Sequence, residues 1–211
     1  MGLISNGTTV FDNGSMASGF GGNLVFLAKQ SITSPVSSVN FVHGSGGVDF
    51  TSYKEYIFYF VNLHPNSNSE PDIKVNFSTD GGSNYNVTKT STGFYARHAE
   101  NNDFASIAYE AAWGLSQSTG NQLVGHNMEG ADADSSLCGS LHLFNPSSTT
   151  FVKHYIGTVS YMHDYPAAWN QFFAGYCNTT SAIDAVSFIG EYGEGTSGNI
   201  DSGDILLYGV N

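Results

Sequence analysis

The side chains able to do acid–base, nucleophilic or metal chemistry here are seven histidines, two cysteines and eighteen acids. His43, His64, His98, His126, His142, His154 and His163 show no spacing that makes them metal ligands or a base beside a nucleophile. His142 follows Cys138 by four residues on a predicted strand, which turns both to one face but separates them by about 13 Å. His163 and Asp164 are neighbours, and neighbours on an extended chain face opposite ways. Cys138 and Cys177 make neither a disulfide framework nor a zinc set, and both are expected as buried free thiols. Asp132 with Asp134, Glu191 with Glu194, and Asp201 with Asp204 are spaced as hard-cation ligands can be, but the EF-hand pattern is absent and solvated loops account for them. Paired carboxylates for glycoside hydrolysis depend on the fold, and no pair stands out. Gly195-Thr196-Ser197-Gly198 is not a nucleophile elbow, and Gly19-Phe20-Gly21-Gly22 precedes a strand rather than a phosphate-binding helix. The expectation is a protein that is not an enzyme, with no metal and no cofactor.

Aromatic residues are the remaining resource, at 14% of the chain. Trp113, Tyr161, Tyr165 and Trp169, with Tyr176, have ring faces that can stack on sugars, although core or subunit interface is their commoner use. Exposure of the tryptophans beside Tyr161 and Tyr165 in a groove would mark a glycan site, whereas burial of both would count against one.

The elements that must position these residues are strands. From residue 23 onward, short runs rich in Val, Ile, Phe, Tyr and Thr alternate with Gly, Ser, Asn and Pro clusters. Strands are predicted at 23–28, 38–43, 53–64, 73–78, 85–90, 94–98, 137–145, 150–162, 171–178, 185–192 and 204–210. The clearest alternation puts Ile73, Val75 and Phe77 on a core face, and Asp80-Gly81-Gly82 is read as a hairpin turn leading to Tyr85 and Val87. Residues 104–115 fit both a helix and a strand, and the all-β surroundings favour the strand; residues 120–136 read as a long loop. With no linker and no repeat, the prediction is one all-β domain over 23–211, a two-sheet β-sandwich, jelly-roll-like, preceded by an extended N-terminal arm over 1–22.

Composition narrows the partners. Charged residues are 11% of 211, against roughly 25% in ordinary soluble domains. Hydrophobic residues reach only 40%, and no stretch approaches about 18 apolar residues, so an integral membrane protein is not expected. A net charge of −12, with Arg97 the single arginine, removes the clustered cations that nucleic acid or an anionic membrane surface needs. Residues 1–20 lack a basic leader and an apolar core, Asn6 occupies the position where myristoylation wants Ser or Thr, and the Asn-X-Ser/Thr sequons carry no weight without a secretory signal.

Several stretches resemble a family of small structural proteins of tailed bacteriophages, especially marine ones. They are residues 1–11, 53–60, 141–154 and 197–210, the most specific being the Gly-Asn-Ile-X-Ser-Gly-X-Ile-X-Leu-Tyr-Gly pattern that begins at Gly198. Residues 77–83 resemble hairpins common in such proteins. The resemblance implies a non-enzymatic virion component, often a homotrimer, assembled in the bacterial cytoplasm. The first expectation is a capsid decoration or cement protein that binds the major capsid protein. Its arm residues Leu3, Ile4, Val10, Phe11, Met16 and Phe20 would make the docking contact, being apolar side chains in a segment that a partner orders. The alternative is a tail-fibre module recognising host glycan through Trp113, Tyr161, Tyr165 and Trp169.

Overall fold

The computed structural model describes residues 3–5, 8–12, 15–16, 23–66, 71–192 and 196–211; for 3–16 and 196–197 it extends to backbone pairing only. Strands β1 (Leu3–Ser5), β2 (Thr8–Asp12) and β3 (Ser15–Met16) pair in sequence as a small antiparallel sheet. The side chains of Leu3, Ile4, Val10, Phe11 and Met16, and Phe20 altogether, lie outside the described residues, as does the docking contact expected of them.

Two further antiparallel sheets stack as a β-sandwich. Eight strands form the larger: β4 (Leu24–Ile32), β6 (Glu55–Pro65), β8 (Lys89–Ala99), β9 (Ala105–Tyr109), β11 (Leu137–Phe144), β12 (Lys153–His163), β13 (Ala167–Cys177) and β16 (Ile200–Val210). Their order across the sheet is β4-β16-β6-β11-β12-β13-β8-β9. The smaller sheet holds β5 (Ser38–Val42), β7 (Pro71–Ser78), β10 (Gln122–Gly125), β14 (Ala185–Tyr192) and β15 (Thr196–Ser197). Its order is β10-β7-β14, with β5 and β15 pairing the far side of β14. No helix among the described residues is long and apolar enough to cross a membrane.

Period-two patterning explains the stacking. In β12 Tyr155, Gly157, Val159 and Tyr161 point inward while His154, Ile156 and Ser160 face out. Ile73, Val75 and Phe77 lie on the core face, as their alternation requires, and are fully buried. At the centre Phe41, Phe58, Phe60 and Phe188 meet edge to face with centroids 5.1–6.2 Å apart. Burying each ring is worth about 1.5–3 kcal/mol, and the edge-to-face geometry adds about 0.5–1.5 kcal/mol per pair. Where β6 and β16 lose register, Gly203 adopts φ +108, and a Cβ there would stand 2.3 Å from the Asn62 carbonyl oxygen.

Three local expectations are corrected by strand pairing. Residues 80–84 do turn on the positive φ of Gly81 and Gly82, but no hairpin follows. Both sides of β7 are already taken by β10 and β14, so after a single Val87 N–H to Phe77 carbonyl bond the chain crosses to the other sheet as β8. The segment 104–115 is a strand only as far as Tyr109. Glu110 accepts from the Ala112 N–H at 3.3 Å and starts a 3₁₀ turn, Ala111–Trp113, that drives Trp113 inward. The predicted loop 120–136 contains β10, whose four residues are all buried against β7 and beneath the larger sheet; a four-residue strand without alternation leaves no periodic signal.

Candidate functional site

The sandwich gathers Trp113, Tyr161, Tyr165 and Trp169 at one end of the larger sheet, while Tyr176 lies at the other end of β13. Trp169 and Tyr161 are register partners on β13 and β12, both pointing inward. Trp169 stacks on Tyr95 with centroids 4.4 Å apart and on His163 at 4.3 Å, and Trp113 stands 5.9 Å away. Arg97 lays its guanidinium over Phe104 at 4.6 Å and over Trp169 at 5.3 Å, a cation–π cluster built on the single arginine. Three of the four rings proposed for sugar stacking are therefore brought together, but inside: Trp113, Trp169 and Tyr161 are 8%, 5% and 3% exposed. Only Tyr165 is exposed, and its hydroxyl donates to Asp103 Oδ2 at 3.4 Å. Burial of both tryptophans counts against a glycan groove here, because rings already packed on one another have no free face.

Beside this cluster lies a buried polar chain. Lys74 Nζ sits 2.9 Å from Glu191 Oε1 and 3.3 Å from Asp72 Oδ2. Asp72 Oδ1 takes the Asn127 N–H and lies 3.0 Å from His126 Nδ1, while Glu191 Oε2 accepts from Asn121. Asn121 in turn accepts from Asn76, which accepts from Lys89 Nζ at 2.6 Å. The two carboxylates clamp a cation along the neighbouring strands β7 and β14 instead of facing each other across a cleft, which suits a structural pair and not an acid–base dyad.

The remaining candidates scatter. His64 bridges Asp201 Oδ1 at 2.7 Å and the Asp132 carbonyl, His142 pairs with Glu55 at 2.7 Å, and Asp204 holds Lys29 at 2.8 Å. Among the described residues no group of three or more His, Cys, Asp or Glu is placed to hold a metal; Glu194 lies outside them. His163 and Asp164 do touch, contrary to the extended-chain expectation, because the strand ends at His163 and the turn folds the carboxylate back. Burial beside Trp169 pushes the His163 imidazole below the usual range, with Asp164 opposing. Of the two thiols, Cys177 is buried as expected and Cys138 is exposed, since it points to the outer face of β11 and receives the Asn62 N–H at 3.3 Å. Cys177 is paired across the ladder with Lys153 on one side and Lys89 on the other, all fully buried. Desolvation raises the thiol to about 12 and lowers Lys89 to about 8, with Lys153 shifted downward for the same reason.

What the sequence reasoning missed is a surface. The outward positions of four adjoining strands are the alternate residues 154–162 of β12, 168–176 of β13, 90–98 of β8 and 105–109 of β9. They carry no Asp, Glu, Lys or Arg. Glu55, Lys29 and Asp204 all lie on the other half of the same sheet. A shallow trough of about 440 Å³ runs along the uncharged half between His154, Ile156 and Tyr176, and a second of about 630 Å³ lies between His98, Met162 and Ala168, bordered by Glu100 and by Cys138 of β11. The signal for this surface is in the strings themselves, as alternation with apolar residues in both phases. Neither phase can be told as the outer one until the sheets are stacked. Comparison with family models, with curated proteins and with solved structures finds no match for this chain.

Proposed function

We propose that the protein is a non-enzymatic packing module, a structural subunit of a tailed-phage particle that decorates or cements the capsid. The observation that carries the packing role is the uncharged half of the larger sheet, where exposed Phe94 and Ile156 stand among small and uncharged residues. Charge is depleted and aromatic area enriched at the centres of protein contacts, because a desolvated unpaired charge is costly and a ring is not. The phage setting rests on the sequence resemblance, above all on the Gly-Asn-Ile pattern that becomes the start of β16. Assembly with copies of itself and with shell protein follows from that setting. The tail-fibre alternative loses its motive with both tryptophans buried.

The test is incorporation. Purified particles of the virus that encodes the chain, imaged with a label on this protein, should carry it on the head. A variant lacking residues 1–20 should remain a folded sandwich and fail to join particles. Undiminished incorporation of that variant would refute docking through the N-terminal segment, and absence of the protein from particles would refute the virion role.

A further inference from the structure

Phe94 and Phe172 stand side by side on the outer face of β8 and β13, stacked with centroids 4.8 Å apart and planes 11° from parallel. Tyr109 continues the row on the edge strand β9, where it is 65% exposed, and Ile107 beside it is 79% exposed. Along the strands this row is flanked by small or uncharged residues, Thr92 and Ala96 on β8 and Ala174 and Asn170 on β13. The result is an aromatic ridge running across the strands. A cleft of about 190 Å³ lies directly beside it, floored by Gly157 and walled by Ile156 and Ala174.

We propose that this face is the contact between two copies of the chain, related by a two-fold axis, with the ridge of each copy seated in the cleft of the other. The inference rests on the packing-module reading above and names its partner. A two-fold contact requires a patch complementary to itself, and a ridge with an adjoining cleft on one face meets that requirement. Charge points to the same occupant. Each copy carries −12, so copies repel wherever acids meet, and an extended face free of acids is where they can approach. The same face offers a strongly charged partner no complementary group. Glu100, Asp103 and Glu110 stand at the ends of β8 and β9, placing acids at the margin and none at the centre, as in a contact with a polar rim. Size is adequate: three strands of eleven residues and one of five, about 4.8 Å apart, present a planar footprint of about 600 Å² per partner, at the low end of specific interfaces. The β9 edge also carries no Lys, Pro or acid to discourage a neighbour.

The experiment is light scattering on the purified full chain over a range of concentrations, with circular dichroism to confirm folding. The wild-type protein is expected at twice the 22.5 kDa chain mass. Phe94→Glu and Ile156→Glu should each halve the measured mass while leaving the spectrum unchanged. Val61→Glu, which alters a 42% exposed residue on the other half of the sheet, should leave the mass doubled. A wild-type monomer, a trimer, or a dimer untouched by Phe94→Glu would overturn the two-fold contact. A monomer that still joins particles overturns this contact and leaves the virion role standing; a Phe94-dependent dimer that never joins them does the reverse.

Discussion

Replacing Lys89 by Met should change how stability depends on pH. Lys89 is fully buried, and its ammonium is held by Asn76 Oδ1 and the Val87 carbonyl, each at 2.6 Å, neither of them a carboxylate. Desolvation lowers its pKa from 10.5 to about 8. Between those values the unfolded chain binds more protons than the folded one, so stability rises with pH across the window. Burying the charged form costs about 3 kcal/mol at pH 7 and about 2 kcal/mol at pH 9, from the linkage between the two pKa values. Met removes that cost but also removes two hydrogen bonds, worth about 1–3 kcal/mol together, while Asn76 Oδ1 keeps the Phe77 N–H. The variant should therefore lie between equal stability and about 2 kcal/mol more at pH 7. The wild type should recover about 1 kcal/mol relative to it by pH 9. Cys177 and the buried tyrosines, whose acid groups are raised, titrate in both proteins and largely cancel in the difference. Urea denaturation followed by tryptophan fluorescence at pH 7, 8 and 9 measures it. A difference that stays constant over that range would refute the burial argument.

The two thiols should separate cleanly: a thiol-specific reagent such as a disulfide chromophore should label Cys138 alone in the native protein and both cysteines once it is unfolded, and rapid native labelling of Cys177 would contradict its burial and raised pKa. Gly157→Val should destabilise by about 1–3 kcal/mol or more by thermal or urea unfolding, because a Cβ there would meet the Phe173 ring at 2.1 Å beneath the sheet; an unchanged midpoint would mean that the ring can swing aside at no cost.

Strand content was legible because it is written locally. The alternation of residues 73–77 predicted their core face, and the predicted strand 185–192 matches β14 residue for residue. The two departures have different causes. The predicted strand 85–90 should pair with β7 as a hairpin, but β7 is already paired with β10, from 122–125, and β14, from 185–192. Trp113 was assigned to a continuing strand, whereas Glu110 caps a 3₁₀ turn that buries it. The first error concerns which distant segment claims a backbone edge, and no window of ten residues contains that information; the second turns on a local cap that periodicity does not register.

For the site, the sequence by itself determined the supplies, 11% charge and 14% aromatic residues. It did not determine where they go. Only the tertiary structure decided that Trp113, Tyr161 and Trp169 pack on one another in the interior while Phe94, Phe172 and Ile156 stand outside. The physical reason is the two-fold symmetry of a strand. Period two divides side chains into two faces, and when both carry apolar residues only the stacking of one sheet on another makes one of them the core.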